Sequence, residues 1–371
     1  MRILYVTTIG STMVFFRKFI KELLQQGHTV EIATNESDVS KVPDCYREWG
    51  CVIHQISTSR SPFNKGNLVA IKQIKKLVEE KKYDIVHCHT PIAAMCTRIA
   101  CRKARKQGTK VFYTAHGFHF FKGAPLKNWL LYYPVEKICA HFTDLLITIN
   151  KEDYVFAQKK LKAKRIEYVP GVGIDLERFT NCNVNREEKR KELDIPNDAI
   201  LLLSVGELNQ NKNHQVIIRA LAKIKNPNIH YAIAGKGNNK DYLIELSREL
   251  GIADQVHVLG YRKDIPQINH CADAFCFPSR REGLGMGAIE AMACGLPIIT
   301  SNVHGINDYS IDGVTGYKCD PNDVDGFKDC IEKLLSNSEH INEIKNYNIE
   351  KAKDYDIVKI KKIMHQLYAI I

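Results

Sequence analysis

A run of twenty residues, Pro278 to Pro297, concentrates the groups best suited to chemistry in this 371-residue chain. Gly283, Gly285 and Gly287 alternate with bulkier residues and the run closes on Gly295-Leu296-Pro297, so it reads as strand end, glycine-rich turn, short helix and helix stop. A helix N-terminus offers unpaired N–H groups at the positive end of its dipole, and glycines let a ligand approach them, which suits a diphosphate. Glu282 lies in the turn and Glu290 follows eight residues later. That is about two helical turns, so the two carboxylates can accept from different hydroxyls of one elongated ligand. A turn that merely packs a helix on a sheet would explain the glycines. It would leave the two acids unexplained.

Glu-Gly-Leu-Gly from Glu282 and Glu-Ala-Met-Ala-Cys-Gly-Leu-Pro from Glu290 resemble the nucleotide-sugar signature of glycosyltransferase family 4. The resemblance extends over nearly the whole chain. It implies the GT-B architecture, an α/β fold of two facing Rossmann-like doubly wound parallel-sheet domains with a cleft between them. In that family the second Glu holds the ribose hydroxyls and the first reaches the donor sugar, which implies those roles for Glu290 and Glu282. Backbone N–H groups around Gly285, Met286 and Gly287 would receive the diphosphate. Family members usually carry Gly-Arg with a Lys five residues after the Arg, two cations that clamp the diphosphate as charge grows on the departing nucleotide. Here Lys212 matches, but Glu207 stands where the Arg is expected. Arg280 or Arg281 would then supply the missing charge. The pair His116-Gly117 matches a His-Gly whose imidazole lies beside the donor sugar, and Gly10, after the first strand, would approach the diphosphate or the acceptor.

The activity so implied is retaining transfer of a sugar from a nucleotide diphosphate donor, a UDP-sugar in the first instance, to a glycan or polyprenyl-linked acceptor in cell-surface polysaccharide synthesis. The departing diphosphate and substrate positioning carry such a reaction, so Glu282 and Glu290 are expected as binders, unlike the close carboxyl pair of glycosidases. No metal or other cofactor is expected if the helix dipole and Lys212 neutralise the diphosphate. A nucleotide-sugar epimerase or hydrolase of the same fold, and a non-catalytic nucleotide-sugar binder, stay open as alternatives, the latter because of Glu207.

Other constellations bear less weight. His87 and His89 are expected on opposite faces of a strand, hence unable to share a metal, with a structural or acceptor-side role for His89. Gly235-Lys236-Gly237 and Gly260-Tyr261-Arg262 end strands and are expected to close over the nucleotide and its base. No Gly-x-Gly-x-x-Gly follows the first strand, which argues against a nicotinamide dehydrogenase. The twelve cysteines never form C-x2-C and mostly sit in apolar runs, as small hydrophobes in a reducing cytoplasm do.

The elements that must hold these groups follow from periodicity. Short β-branched runs alternate with amphipathic segments, the pattern of parallel sheets with crossover helices. Strands are predicted near 2–7, 29–34, 51–56, 84–88, 110–115 and 144–149, then near 200–206, 230–234, 256–259, 273–277 and 297–301. The length fits two domains, and the resemblance implies residues 1–175 for the acceptor, 176–354 for the nucleotide sugar, and a helix over 355–371 crossing back to the first domain. Residues 1–175 hold 28 Lys and Arg against 15 Asp and Glu, whereas the remainder is nearly balanced. The basic half is expected to meet an anionic partner, a membrane surface or a phosphorylated acceptor; nucleic acid is disfavoured because no reader motif accompanies the charge. No apolar segment approaches the ~20 residues that span a bilayer, so membrane contact would be peripheral. The aromatic and basic stretch 117–135 reads either as a headgroup-level helix receiving a lipid-linked acceptor or as a core helix.

Overall fold

The computed structural model describes residues 1–336 and 338–369, and two compact units emerge from it. The first comprises Met1–Val172 together with the chain from Lys361 onward, and the second is Gly173–Ile360.

The first unit is built on a seven-stranded sheet: β1 (Arg2–Ile9), β2 (Thr29–Asn35), β3 (Val52–Gln55), β4 (Ile85–His89), β5 (Lys110–Ala115), β6 (Leu145–Thr148) and β7 (Arg165–Tyr168). Its order is β3-β2-β1-β4-β5-β6-β7, and every pairing is parallel. The central strands are near-continuous apolar runs because helices cover a parallel sheet on both faces, and all five residues of β4 are buried. Local chemistry starts the crossover helices: Pro91 opens Pro91–Ala100, and Asn150 caps Lys151–Lys160 by accepting from the Asp153 amide at 2.8 Å. Helix Pro91–Ala100 is tied to helix Leu126–Ala140 by a buried bidentate pair, Arg98 Nη1 and Nη2 to Glu136 at 2.8 and 3.0 Å, with the guanidinium over the Tyr113 ring. Removing either partner would strand a buried charge.

Helix Leu126–Ala140 is apolar on both sides. Trp129 and Tyr133 pack on the core, while Leu126, Leu130 and Ile138 are 73%, 71% and 61% exposed, near the exposed Lys127 and Lys137. The core-helix reading of this stretch thus describes one face of the helix, and the other face is exposed and apolar.

The second unit holds six parallel strands: β8 (Ile200–Val205), β9 (Ile229–Ala234), β10 (Val256–Gly260), β11 (Ala274–Phe277), β12 (Ile298–Ser301) and β13 (Gly316–Cys319), in the order β10-β9-β8-β11-β12-β13. β7 and β13 are absent from the sequence expectation. Both lie at sheet edges, where a four-residue strand needs no apolar run.

The last helix, Ile357–Ala369, begins in the second unit and continues into the first. There Lys361 and His365 both meet Glu22, and Tyr368 Oη donates to Tyr5 Oη at 2.9 Å beside His87. All twelve cysteines are free thiols, and among the described residues no group of three His, Cys, Asp or Glu could hold a metal.

Candidate active site

Strand order reverses between β8 and β11, and open α/β sheets bind ligands beyond the carboxyl ends of their strands at such a switch point. Two segments emerge there: Gly206–Asn213 after β8 and Pro278–Gly287 after β11. They are stitched together by backbone and amide groups. The Arg280 amide donates to Asn211 O at 2.8 Å, Asn211 Nδ2 to Arg281 O at 2.9 Å, and Asn213 Nδ2 to Pro278 O at 3.0 Å.

This frame brings Lys212 onto Glu282, Nζ to Oε1 at 2.7 Å, with the ammonium 4.7 Å from the centre of the Phe277 ring. Beside them helix Met286–Ala293 begins. Its N-cap Gly285 has φ +86°, and a Cβ there would lie 2.5 Å from Phe277 Cε1 and 2.9 Å from Tyr309 Oη, so only glycine fits. The N-cap residue makes no side-chain cap bond, so the first-turn amides, Met286 and Gly287 among them, receive no acceptor from that position. Glu290 stands on the same helix, half-buried; burial pushes its carboxyl up to about 7 while the Arg178 guanidinium pulls the other way.

Lys212, Arg281, Glu282, Gly285, Met286, Gly287 and Glu290 thus all belong to these two segments and the helix they open. Glu207 does not join Lys212. It is exposed, accepts from Asn209 Nδ2 at 2.8 Å, and lines an adjoining cavity of about 620 Å³ beyond β8, β9 and β10. Lys236, Tyr261 and Arg262 line the same cavity, with Lys236 Nζ 5.1 Å from the Tyr261 ring centre and Arg262 held by Asp264 and Glu192. Sequence reasoning missed Asn213, Phe277 and Tyr309. Asn213 could have been flagged as a polar residue before a helix, here at φ +58°, whereas nothing local marks Tyr309.

Gly10 and His116 lie in the first unit, at the carboxyl ends of β1 and β5. Gly10 is buried, and a Cβ there would come within 2.5 Å of Ser40 O, so close chain packing already accounts for the glycine. His116 is half-buried, with Nε2 3.2 Å from His89 Nδ1; burial lowers its pKa to about 4, so the ring is neutral at pH 7. The following loop is fixed by Asp153, whose Oδ2 accepts from the Phe118 amide at 2.8 Å.

The expectation for His87 and His89 is corrected here. Residues two apart on a strand share a face, and the two rings lie 4.2 Å apart. His87 is occupied by Tyr368 Oη at 2.5 Å and Thr114 Oγ1 at 2.8 Å, and burial lowers its pKa to about 3.

Two family models cover most of the chain: "Glycosyl transferase 4-like" over residues 2–150 and "Glycosyl transferases group 1" over residues 185–351. EpsD of Bacillus subtilis (strain 168), provisionally named as a glycosyltransferase, is 37% identical over 343 residues, covering 91% of this chain and 88% of that protein. The chain belongs to glycosyltransferase family 4. A second relative of this family 4 enzyme, the Escherichia coli UDP-Gal:alpha-D-GlcNAc-diphosphoundecaprenol alpha-1,3-galactosyltransferase, is 29% identical over 315 residues, 81% of each chain. The crystal structure of Anabaena Alr3699/HepE in complex with UDP matches with a TM-score of 0.82 at 19% identity over the full length of both chains, and WaaG, from lipopolysaccharide biosynthesis, with a TM-score of 0.76 at 19% identity, covering 98% of this chain and 99% of that one. These likenesses carry the fold, two Rossmann-like parallel-sheet domains of the GT-B class. Glycosyl transfer is the activity of the family.

Proposed function

We propose that this glycosyltransferase moves a sugar from a uridine diphosphate donor, with retention of anomeric configuration, to a hydroxyl of a polyprenyl-diphosphate-linked glycan at an anionic membrane surface, in cell-surface polysaccharide synthesis. The observation that carries the donor side is the Lys212–Glu282 pair at the mouth of an uncapped helix that also bears Glu290. In this reading Glu290 accepts from the ribose hydroxyls, and the first amides of the helix receive the diphosphate. Lys212 exchanges Glu282 for the diphosphate and offsets the charge that develops as the nucleotide departs, while Glu282, released, turns to a hydroxyl of the sugar. Arg280 and Arg281 are close enough in the chain to add positive charge where the family arginine is replaced by Glu207. His116 contributes on the sugar side. With these groups neutralising the diphosphate, no metal is required.

Support for uridine comes from HepE, solved with UDP and with UDP-glucose, and from the UDP-Gal donor in the name of the E. coli relative. That relative's name also gives a diphosphoundecaprenol-linked acceptor. Support for a membrane surface, at the cytoplasmic face, comes from the exposed Leu126, Leu130 and Ile138 beside Lys127 and Lys137. No helix among the described residues is long and apolar enough to cross a membrane.

The test is turnover of UDP-, ADP- and GDP-sugars with lipid-linked acceptors, with and without a chelator, reading the anomeric configuration of the product. UDP-dependent, chelator-insensitive formation of a retained glycoside is expected. Release of free sugar with every acceptor, or an inverted linkage, would overturn the proposal.

A further inference from the structure

His89 is 2% exposed, and its ring is enclosed by Tyr5, stacked at 5.4 Å, Phe16 at 4.2 Å and His87 at 4.2 Å between ring centres. Its Nδ1 lies 3.2 Å from His116 Nε2, whereas its Nε2 is buried without any hydrogen-bond partner. Both ring nitrogens of His87 are engaged, by Tyr368 and Thr114, and the Tyr5 hydroxyl accepts from Tyr368. Burial lowers the pKa of His87, His89 and His116 alike, so the contact joins two neutral imidazoles that share one hydrogen.

That hydrogen has two places to be. If His116 Nε2 carries it, His89 Nδ1 accepts, and the single N–H hydrogen of the neutral His89 ring sits on the buried Nε2 as a donor facing aromatic rings. If His89 Nδ1 carries it, the buried Nε2 is a bare lone pair. Buried orphan N–H groups are rarer in proteins than under-satisfied acceptors, which selects the second arrangement.

We infer that His89 is a positioning residue that holds His116 as the Nδ1–H tautomer, so that His116 presents a hydrogen-bond donor, not a base, to an oxygen of the ligand. The contact with His89 uses His116 Nε2, so Nδ1 is the ring nitrogen left to donate. The ligand oxygen rests on the transferase reading above. The tautomer does not.

Long-range proton–nitrogen correlation NMR on the full-length, histidine-labelled protein at neutral pH reads the tautomer without substrate, His116 being assigned from the spectrum of His116→Gln. A solvent-exposed neutral histidine favours Nε2–H, so the expected Nδ1–H pattern is diagnostic. His89→Phe keeps the packing, removes the donor and should return His116 to Nε2–H; His89→Gln supplies an amide donor and should keep Nδ1–H. Turnover should fall roughly tenfold in His89→Phe and stay within roughly threefold of wild type in His89→Gln. A wild-type His116 in the Nε2–H form, or one unchanged in His89→Phe, overturns the assignment. Should His89→Phe fail to fold, the wild-type and His89→Gln spectra decide alone, both being required to show Nδ1–H. If the tautomers behave as expected while His116→Ala transfers sugar normally, the transferase role of His116 fails and the His89 assignment stands.

Discussion

Beyond β11 the chemistry is charged and partly open: Lys212 on Glu282, an uncapped helix, and Glu290 with a carboxyl poised near neutrality. Beyond β4 and β5 it is neutral and packed, with three imidazoles among Tyr5, Phe16 and Tyr368, all held uncharged by burial. The same sheet architecture therefore supports two kinds of site. One holds its charges paired against each other, Lys212 on Glu282; the other joins uncharged rings through single hydrogen bonds and carries no charge to screen. Salt and pH should consequently act on the first far more than on the second.

The sharpest way to break this contrast is Lys212→Ala. If Lys212 offsets charge on the leaving diphosphate, turnover should fall roughly 10²-fold or more with the fold intact, by analogy with loss of one preorganised electrostatic donor. A variant that turns over like wild type would move that task to another cation, and Arg281→Ala would be measured next. Glu290→Ala should weaken nucleotide binding by about 1.5 to 3 kcal/mol, the worth of hydrogen bonds to a charged acceptor, as read by calorimetry with UDP. Unchanged affinity would remove Glu290 from the ribose site.

Gly285→Ala comes next. A side chain at φ +86° and 2.5 Å from Phe277 should cost about 2 kcal/mol of stability in a denaturant titration. A smaller loss would mean that the loop yields easily and does not hold the helix mouth in place. The mildest effect is that of pH. The Glu290 carboxyl, raised to about 7, must shed its proton to accept two hydroxyls, so UDP affinity should rise between pH 6 and 8 and level off above. Glu290→Gln should flatten the part of that profile not due to the diphosphate itself. A wild-type profile identical to that of Glu290→Gln would show that the proton is not coupled to binding.

Much of this was readable in the chain because it is local. The helix mouth at Gly285 and the two acids lie within nine residues, and strands buried on both faces announce themselves as apolar runs. β7 and β13 escaped because each is a four-residue edge strand without an apolar run. The Lys212–Glu282 contact spans 70 residues and the Arg98–Glu136 pair 38, separations that no spacing rule covers. Lys212 entered through family resemblance, and nothing local in the sequence marks Arg98 as a buried partner of Glu136. The His87 and His89 expectation failed for a simpler reason, parity along the strand, and the error concealed a cluster of three imidazoles. Glu207 was visible as a departure; its exposed setting with Asn209 was not.

Tyr368 also sets a timetable for biosynthesis. The first unit is completed by residues made after the whole of the second: Lys361 and His365 on Glu22, and the Tyr368 hydroxyl between Tyr5 and His87. Nearly two hundred residues separate Val172 from that closing segment, roughly 10 to 40 s at ordinary elongation rates of about 5–20 residues per second. Throughout that interval the nascent amino-terminal sheet lacks its last helix, and His87 and Tyr5 lack their phenolic partner. The second unit, contiguous from Gly173 to Ile360, meets no such delay. The later-made unit can thus finish folding before the earlier one, and a chain cut just after Ile360 would keep the second unit whole and leave the histidine cluster of the first open.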